Sequence, residues 1–278
     1  MQISNETISS RNNNFVKWAA SLDDRKNRNS SGYFMAEGVK LTTEALEAGL
    51  PVEYIVVCET KSEAVLSKIS DYLESENYDN CKIISVTESV FEKISTEKSP
   101  QGVISIIKHL DFFRKMDIIY KEEFFLAPDE KSVFLCSVRD PSNLGAVIRS
   151  SVAFGTEHIV LSADCADVYN PKTVRSAMGS LYRVKITTVN DVESFVAAAQ
   201  ASGRRVFAAE LSDGARSLND VGLLSSDIVM IGNEGHGIPA EISAICDGSV
   251  YIPISNKTES LNASVAAAIF MWEQNKNI

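Results

Sequence analysis

Short apolar strands that alternate with helical segments constrain this chain more than any other feature of its sequence. Runs such as Val133–Val138 and Ile228–Ile231 are apolar at nearly every position, so both faces of these strands should be buried. Strands of this kind, separated by helices, are typical of a mostly parallel sheet that carries helices on both faces. The sequence therefore predicts an α/β fold, and the pattern is stronger in the second half of the chain.

The first half of the chain is predicted to form a smaller α/β layer of its own. Residues 11–27 are expected to form one helix, and Val39–Ala48 a second helix that ends at Gly49. A third helix is expected at Glu63–Leu73, where apolar residues recur at helical spacing. The expected strands of this half are Tyr33–Glu37, Tyr54–Cys58, Lys82–Val86 and Val103–Lys108.

Residues 109–131 separate the two halves, since they are mixed in polarity, rich in charge and interrupted by Pro128. We interpret them as a linker between a first domain at residues 1–108 and a second domain at residues 132–278. The helices and strands expected in the second domain are Val133–Val138, Leu144–Phe154, Ile159–Leu161, Arg205–Ala209, Ile228–Ile231, Val250–Ile252 and a last helix from Leu261 to about Gln274.

The net charge of −10 at pH 7 argues against a polycationic arm that coats nucleic acid. Residues 11–40 are a local exception, because basic side chains outnumber acidic ones there. A small basic face on an acidic protein is compatible with binding one structured RNA site, and the alternative is a solvated helix face. The candidate RNA-binding residues are Arg11, Lys17, Arg25, Lys26 and Arg28.

The five cysteines lie far apart, and neither they nor the three histidines have the spacing of a metal site. We interpret the cysteines as buried thiols in a reducing cytoplasm. An apolar run of about 18 residues, which a membrane span needs, does not occur. The N-terminus also lacks the basic start and apolar stretch of a secretory signal. We therefore expect a cytoplasmic protein without a metal ion and without a membrane segment.

Three loops that follow predicted strands are unusually polar, and parallel sheets bind ligands at the carboxyl ends of their strands. In the first loop, at residues 140–155, Asn143 is predicted to cap a helix. Arg149 lies off the apolar stripe of that helix, and the small residues Gly145 and Ala146 precede it by one turn. The arginine is thus predicted to face a ligand, with phosphate as the natural candidate, or else to be an ordinary surface side chain.

The second loop, at residues 231–239, contains three glycines and so permits a close approach between backbone and ligand. Its spacing matches neither a dinucleotide fingerprint nor an ATP-binding phosphate loop. Glu234 stands between glycines, although a glutamate contributes nothing to a tight turn. We interpret His236 as a structural loop histidine.

The third segment, at residues 251–272, comprises a short strand, a polar loop and the last helix. Ser260 is predicted to cap this helix, and a stripe that includes Val265, Ile269 and Trp272 is predicted to face inward. If Ser260 is the cap, Asn262 lies in the first helical turn, where alanine would be a better helix former. The asparagine therefore needs another explanation. Signatures of the common hydrolases and of calcium loops do not occur in the sequence.

Together, in this order and spacing, the three loops resemble those of the SpoU (TrmH) family of RNA 2′-O-ribose methyltransferases, within the SPOUT class. Residues 170–186 and 208–221 are also similar to this family, so the resemblance covers about residues 131–275. Residues 10–38 resemble the small substrate-binding domain of these enzymes, which has a ribosomal-protein-like α/β fold. The motifs that carry the resemblance are Asn143–Arg149, Gly232–Gly237, Ile252–Pro253 and Glu259–Asn262.

The resemblance implies a methyltransferase domain with a deep trefoil knot, in which S-adenosylmethionine binds in a bent conformation. It implies a homodimer whose active sites take residues from both subunits, and a ribose 2′-hydroxyl of RNA, with ribosomal RNA favoured, as the methyl acceptor. The backbone around Gly232, Ile252 and Leu261 would hold the cofactor. The catalytic set implied by motif position is Asn143, Arg149, Glu234, Ser260 and Asn262.

Several alternatives stay open at this point. A transfer RNA substrate fits the motifs as well, and the modified nucleotide is not readable from the sequence. A non-catalytic RNA-binding or ribosome-assembly factor would keep the same fold, whereas a nicotinamide-dependent oxidoreductase would need a glycine fingerprint that this chain lacks. Arg149 is either a base or a group that positions phosphate and stabilises an alkoxide. Asn256 replaces a glycine common in the family, and asparagine tolerates left-handed backbone.

Overall fold

The computed structural model of the protein describes residues 2–3, 6–73, 78–110, 113–116, 126–127, 129–233 and 235–276. The chain forms two compact units, and each of them is built from two stretches of sequence. The first unit comprises Met1–Leu110 and Asp167–Tyr182, and the second comprises Asp111–Ala166 and Arg183–Ile278. The first stretch of this unit ends at Leu110, whereas the sequence predicted a domain boundary at residue 108. The sequence pattern did not indicate that Asp167–Tyr182 packs with the first unit.

The first unit is a small α/β layer with a five-stranded sheet in the order β1-β4-β3-β5-β2. Strand β5 is antiparallel to both of its neighbours, and the other pairings are parallel. Its strands are β1 (Gln2–Ile3), β2 (Tyr33–Glu37), β3 (Val52–Cys58), β4 (Lys82–Val86) and β5 (Val103–Lys108). Its helices are α1 (Asn14–Ser21), α2 (Arg25–Ser31), α3 (Val39–Glu47), α4 (Ser62–Leu73), α5 (Glu88–Ile94) and α7 (Pro171–Ala177).

Residues 11–27 were predicted to form one helix, and this prediction is wrong, because α1 and α2 are separated by a short turn. The carboxylate of Asp24 accepts hydrogen bonds from the backbone N–H groups of Lys26 and Asn27, at 2.8 and 3.2 Å. An aspartate that bonds to the backbone in this way starts a new helix instead of continuing the old one. Helix α2 then ends at Gly32, which has a φ of 74°.

The position of Arg28 contradicts its prediction as an RNA-binding residue, because the side chain is only 1% exposed. Its Nε and Nη2 donate to Oδ2 of Asp167 at 3.1 and 2.7 Å, and Nη1 donates to the carbonyl oxygens of Leu22 and Asp23. A buried guanidinium needs such partners to offset its desolvation. Arg28 therefore joins α2 to the segment Asp167–Tyr182. The other four predicted cations are exposed, namely Arg11, Lys17, Arg25 and Lys26.

The second unit contains an eight-stranded sheet in the order β11-β13-β10-β12-β7-β8-β9-β6. Every pairing in it is parallel, which confirms the predicted sheet type. Its strands are β6 (Phe113–Met116), β7 (Ser132–Leu135), β8 (His158–Ser162), β9 (Lys185–Val189), β10 (Val206–Ala209), β11 (Arg216–Ser217), β12 (Ile228–Ile231) and β13 (Gly248–Tyr251). Its helices are α6 (Pro141–Ala153), α8 (Val192–Ala201), α9 (Leu218–Val221), α10 (Ala240–Ser243) and α11 (Ala263–Asn275).

Strand β6 lies within residues 109–131, which were interpreted as a linker, and it pairs with β9 at the edge of the sheet. Helices cover the sheet as predicted. Phe195 of α8 and Ile242 of α10 join one core cluster with Phe134 and Met230 of the strands, and α11 packs against α6 and β12. This arrangement leaves the carboxyl ends of the central strands as the edge available to a ligand.

Among the residues described, no helix has both the length and the apolar character that crossing a membrane requires.

Candidate cofactor cavity and adjoining polar site

A cavity of about 410 Å³ lies at the carboxyl ends of β10, β12 and β13 in the second unit. All three positions predicted to hold the cofactor line this cavity, namely Gly232, Ile252 and Leu261. Ser260 of the predicted catalytic set lines it as well. The structure thus brings together residues from two loops that are separated by the whole of α10 and β13.

Several lining residues were missed by the sequence reasoning. Glu210 and Leu211 follow β10 directly, so their position after a strand was the signal that could have found them. Leu211 and Ile254 are 81% and 40% exposed, which is unusual for large apolar side chains beside a cavity. Among the described residues that line the cavity, Glu210 and Glu259 are acidic and none is basic.

Gly232 is required by the fold of its own loop. A Cβ atom at this position would lie 2.4 Å from the carbonyl carbon of Gly237 and 2.7 Å from the backbone nitrogen of Ile238. Asn233 and Gly237 exchange two backbone hydrogen bonds of 3.0 Å, which close the loop and hold that backbone against Gly232. The close approach at Gly232 is therefore between two parts of the loop, whereas the sequence predicted one between backbone and ligand. Glu234 lies outside the described residues.

Asn233 connects this glycine loop to the end of β7. Its Oδ1 accepts from the backbone N–H groups of Gly235 and His236, and its Nδ2 donates to the carbonyl oxygen of Ser137 at 2.8 Å. Ser137 has a φ of 58°, which is rare for a residue other than glycine. Its backbone N–H donates to Oγ of Ser162 at 2.8 Å. Strained backbone held by such bonds is typical of functional loops.

Asn143 does not cap α6, contrary to the prediction. The cap is Asp140, whose carboxylate accepts from the backbone N–H groups of Ser142 and Asn143 at 2.7 and 3.0 Å. Pro141 occupies the first helical position, where a missing N–H group costs nothing. The amide of Asn143 is therefore not needed as a cap, and its Oδ1 accepts a hydrogen bond from Nδ2 of Asn262 at 3.0 Å.

The cap of α11 is Asn262 and not Ser260, so this prediction is also wrong. Oδ1 of Asn262 accepts from the backbone N–H groups of Ser264 and Val265 at 2.9 and 3.4 Å. The helix begins two residues later than expected, and Ser260 is an exposed residue of the preceding loop. Asn262 thus uses its oxygen to cap one helix and its nitrogen to contact Asn143 at the start of another.

The apolar stripe of α11 faces the opposite way from the prediction. Val265 and Trp272 are 47% and 55% exposed, whereas Ala267 and Phe270 are buried. Helix α11 packs against α6 and β12, and the face that carries Ala267 and Phe270 is the buried one. Trp272 keeps an edge-on contact with Phe154 at the end of α6, with 5.8 Å between ring centroids. The second unit therefore presents apolar side chains on its surface along this helix.

Arg149 is exposed on α6 and makes no hydrogen bond or ion pair with the described part of the chain. It does not line the cavity, and it takes no part in the hydrogen bond between Asn143 and Asn262. Gly145, one turn earlier, is buried. The guanidinium is thus exposed, which fits both alternatives from the sequence, an arginine that faces a ligand and an ordinary surface side chain.

Asn256 does not adopt the left-handed backbone that its substitution for glycine suggested. Among the described residues other than glycine, positive φ values occur at Ser137 and Met178. The loop at residue 256 therefore places no special demand on an asparagine.

Two thiols of the second unit, one buried and one partly buried, are unsuited to nucleophilic chemistry. Burial raises the pKa of Cys136, which follows β7, and of Cys246 to about 11 in each case. A thiol with such a pKa is protonated at neutral pH, and the thiolate is the reactive form. Cys136 is therefore a buried packing residue, as interpreted from the sequence, whereas Cys246 is only partly buried against the core.

A wholly parallel sheet with a glycine-bounded cavity at its carboxyl edge defines the second unit as an α/β ligand-binding domain. The chain belongs to the SpoU rRNA Methylase family, whose sequence model matches residues 130–272. Residues 13–105 match an MRM3-like substrate binding domain. Both predictions from the sequence are confirmed. The three loops predicted the family, and residues 10–38 predicted the substrate-binding domain.

Relatives match this chain over nearly its whole length. A 23S rRNA (guanosine(2553)-2′-O)-methyltransferase of Bacillus subtilis is 31% identical over 266 residues, which cover 95% of this chain and 97% of the relative. A 23S rRNA (uridine(2479)-2′-O)-methyltransferase of Streptomyces viridochromogenes is 29% identical, with 96% and 90% covered. The crystal structure of an AdoMet-bound rRNA methyltransferase from Sinorhizobium meliloti superposes with a TM-score of 0.79 at 29% identity, covering 100% and 99%.

Proposed function

We propose that this chain transfers a methyl group from S-adenosylmethionine to a ribose 2′-hydroxyl of ribosomal RNA. The observation that carries the proposal is the full-length similarity to 23S rRNA 2′-O-methyltransferases that act on different nucleotides. The cavity at the carboxyl edge of the sheet supports it, since an AdoMet-bound relative shares the fold over the whole chain. The nucleotide does not follow from these relatives, because one modifies a guanosine and the other a uridine.

The cavity fits S-adenosylmethionine in size and in charge. Its volume of about 410 Å³ is in the range of small-molecule sites. The cofactor has a positive sulfonium and a positive ammonium group against one carboxylate, and the described lining contains acidic residues without a basic one. The backbone at Gly232, Ile252 and Leu261 would hold the cofactor there. When bound, it supplies a methyl group on a positively charged sulfur.

The residues beside the cavity suit the acceptor side of the reaction. A ribose hydroxyl is a poor nucleophile, so it must be held in line with the methyl group while its proton leaves. The paired amides of Asn143 and Asn262 offer fixed polar atoms for this purpose. Arg149 holds an RNA phosphate and stabilises the developing alkoxide, because a guanidinium keeps its proton and donates in a planar fork. We assign Ser260 and Glu234 to the same catalytic set by their motif positions.

Asn262 allows its two roles to be separated by mutation. Asn262→Ala should lower Tm by about 2–4 °C, because loss of an N-cap costs about 1 kcal/mol. Asn262→Asp keeps the capping oxygen but removes the donor to Asn143, so we expect it to restore Tm while methylation stays reduced at least about tenfold. Thermal unfolding and single-turnover methyl transfer are the two measurements. Full activity in the aspartate variant would show that the donor group of Asn262 is dispensable.

The substrate can be identified by comparing RNA from a deletion strain with RNA from its parent. We expect one 2′-O-methyl group to disappear from ribosomal RNA, and the exposed cations Arg11, Lys17, Arg25 and Lys26 to contribute to binding that RNA. Loss of a methyl group from transfer RNA would refute the ribosomal assignment.

Calorimetry with S-adenosylmethionine provides a second test, since a chain without measurable affinity would be a non-catalytic factor. We also propose a cytoplasmic location, in keeping with a ribosomal substrate.

The proposal includes a homodimer and the trefoil knot that the family resemblance implies. The exposed stripe of Val265 and Trp272 on α11 supports a self-complementary interface, since such apolar surface is usually covered by a partner.

Trp272→Glu should convert the dimer to a monomer in light scattering at micromolar concentration. Leu224→Glu is the matched control, because Leu224, at 57%, is about as exposed as Trp272 but lies in a loop away from α11 in the sequence. A monomeric parent, or a dimeric Trp272→Glu variant, would contradict this interface.

A further inference from the structure

Glu210 is an acidic residue of the cofactor cavity to which the motifs assign no role. It follows the last residue of β10 and lines the cavity together with Leu211 and Ile254. The carboxyl end of a parallel strand is where the fold places ligand-contacting groups. A charged side chain at this position therefore needs a functional or structural explanation.

The carboxylate of Glu210 is fixed in place but only half used. Its Oε1 accepts from Oγ of Ser243 and Oγ of Ser249, at 2.5 and 2.8 Å. Its backbone N–H donates to the carbonyl oxygen of Val250 at 3.1 Å. The other oxygen, Oε2, accepts no hydrogen bond from the part of the chain that the structure describes. An ionised carboxylate only accepts hydrogen bonds and has room for about four, so this group is prepared for a donor from a ligand.

The surroundings of Glu210 match the chemistry of an adenosine. Leu211 and Ile254 offer apolar surface for the base, and their exposure in the free protein leaves that surface uncovered. A ribose presents two neighbouring hydroxyls as donors, and an acidic side chain at the end of a strand binds such hydroxyls in other α/β proteins. We propose that Glu210 accepts hydrogen bonds from the ribose hydroxyls of bound S-adenosylmethionine. This inference rests on the proposed function.

A different role for Glu210 would be to attract the positive sulfonium of the cofactor. The two roles predict different results with S-adenosylhomocysteine, which has the same ribose but a neutral sulfur. If Glu210 binds the ribose, its loss weakens both ligands by the same factor. If it acts through charge, its loss weakens S-adenosylmethionine alone.

The experiment is calorimetric titration of the full-length protein with both ligands. Because the serines hold Oε1, Glu210→Gln places an amide nitrogen where Oε2 stood and replaces an acceptor with a donor. We expect both dissociation constants to rise about tenfold, as charge-assisted hydrogen bonds typically contribute that much. Analogues of S-adenosylhomocysteine that lack either the 2′- or the 3′-hydroxyl test the ribose contact directly. At least one of these analogues should bind the variant and the parent with equal affinity.

Controls separate this inference from folding and from the proposed function. Glu241→Gln removes the same charge from an exposed position of α10 outside the cavity and should leave both constants unchanged. Thermal unfolding without ligand checks the fold, and Glu210→Ala provides a second variant should the glutamine unfold the loop. A parent that binds neither ligand refutes the proposed function. A parent that binds normally, with Glu210 variants that bind equally well or lose only S-adenosylmethionine, overturns the assignment to the ribose.

Discussion

Arg149→Lys should retain the fold and the affinity for S-adenosylmethionine, yet lose methylation rate by a factor on the order of a hundred. The reason is geometric, because a guanidinium offers a planar fork to phosphate whereas lysine supplies a point charge of different reach. The exposed position of Arg149 on α6, away from the cavity lining, predicts that cofactor binding does not depend on it. Single-turnover methyl transfer at saturating RNA and cofactor is the measurement.

A matched control for this substitution is Arg139→Lys. Arg139 is 67% exposed and its guanidinium already pairs with Asp164 at 2.8 Å, so we expect its variant to methylate at the parental rate. If the charge of Arg149 only attracted RNA, lysine would preserve nearly the full rate, and added salt would weaken both proteins alike. An Arg149→Lys variant whose rate lies within a few-fold of the parent would thus remove the case for a geometric role.

Gly232→Ala should abolish measurable cofactor binding at ordinary concentrations, with affinity reduced on the order of a hundredfold. The added methyl group would lie 2.4 Å from the carbonyl carbon of Gly237, and a backbone atom cannot yield as a flexible side chain does. The loop would therefore have to open, which would displace the backbone that lines the cavity. Calorimetry measures the affinity, and thermal unfolding shows whether the rest of the chain stays folded.

Gly235→Ala is the control for this prediction, because it alters the same loop by the same group. A Cβ at Gly235 would meet only Oδ1 of Asn233, at 3.5 Å, which is an ordinary contact distance. We expect this variant to change cofactor affinity far less than Gly232→Ala does. Similar losses in both variants would mean that general loop flexibility, and not the contact of Gly232 with Gly237, governs binding.

The features predictable from the sequence were those encoded in local patterns. Apolar runs located the central strands, and the motifs that carry the family resemblance implied three residues that line the cavity, Gly232, Ile252 and Leu261. These signals work because a buried parallel strand and a loop that closes on itself restrict the residue types allowed at consecutive positions.

Helix starts were predicted less well, because several neighbouring residues have side chains able to cap. Asp140 and Asn143 both qualify at the start of α6, and Ser260 and Asn262 both qualify before α11. The choice depends on where the chain leaves the preceding loop, which local pattern does not specify. Asp140 caps α6, and Asn262 caps α11 through its oxygen alone. The side-chain amides of Asn143 and Asn262 can therefore bond to each other.

Burial that depends on distant partners was not predictable at all. Arg28 looks like a surface cation beside Arg25 and Lys26, but its partner Asp167 is 139 residues away in the sequence. The faces of α11 were assigned wrongly for a similar reason, since its packing against α6 decides which side is buried. Apolar spacing alone fits the buried and the exposed stripe equally well.

The ion pair between Arg28 and Asp167 has a consequence for how such enzymes can be inherited and recombined. The match to the substrate binding domain runs from residue 13 to residue 105, which suggests a self-contained unit. A gene fragment limited to that stretch would encode a buried guanidinium without its carboxylate, a loss that typically costs about 3–5 kcal/mol. Exchange of this domain between relatives must therefore carry a compatible residue at position 167, so the two parts of the gene are expected to evolve together.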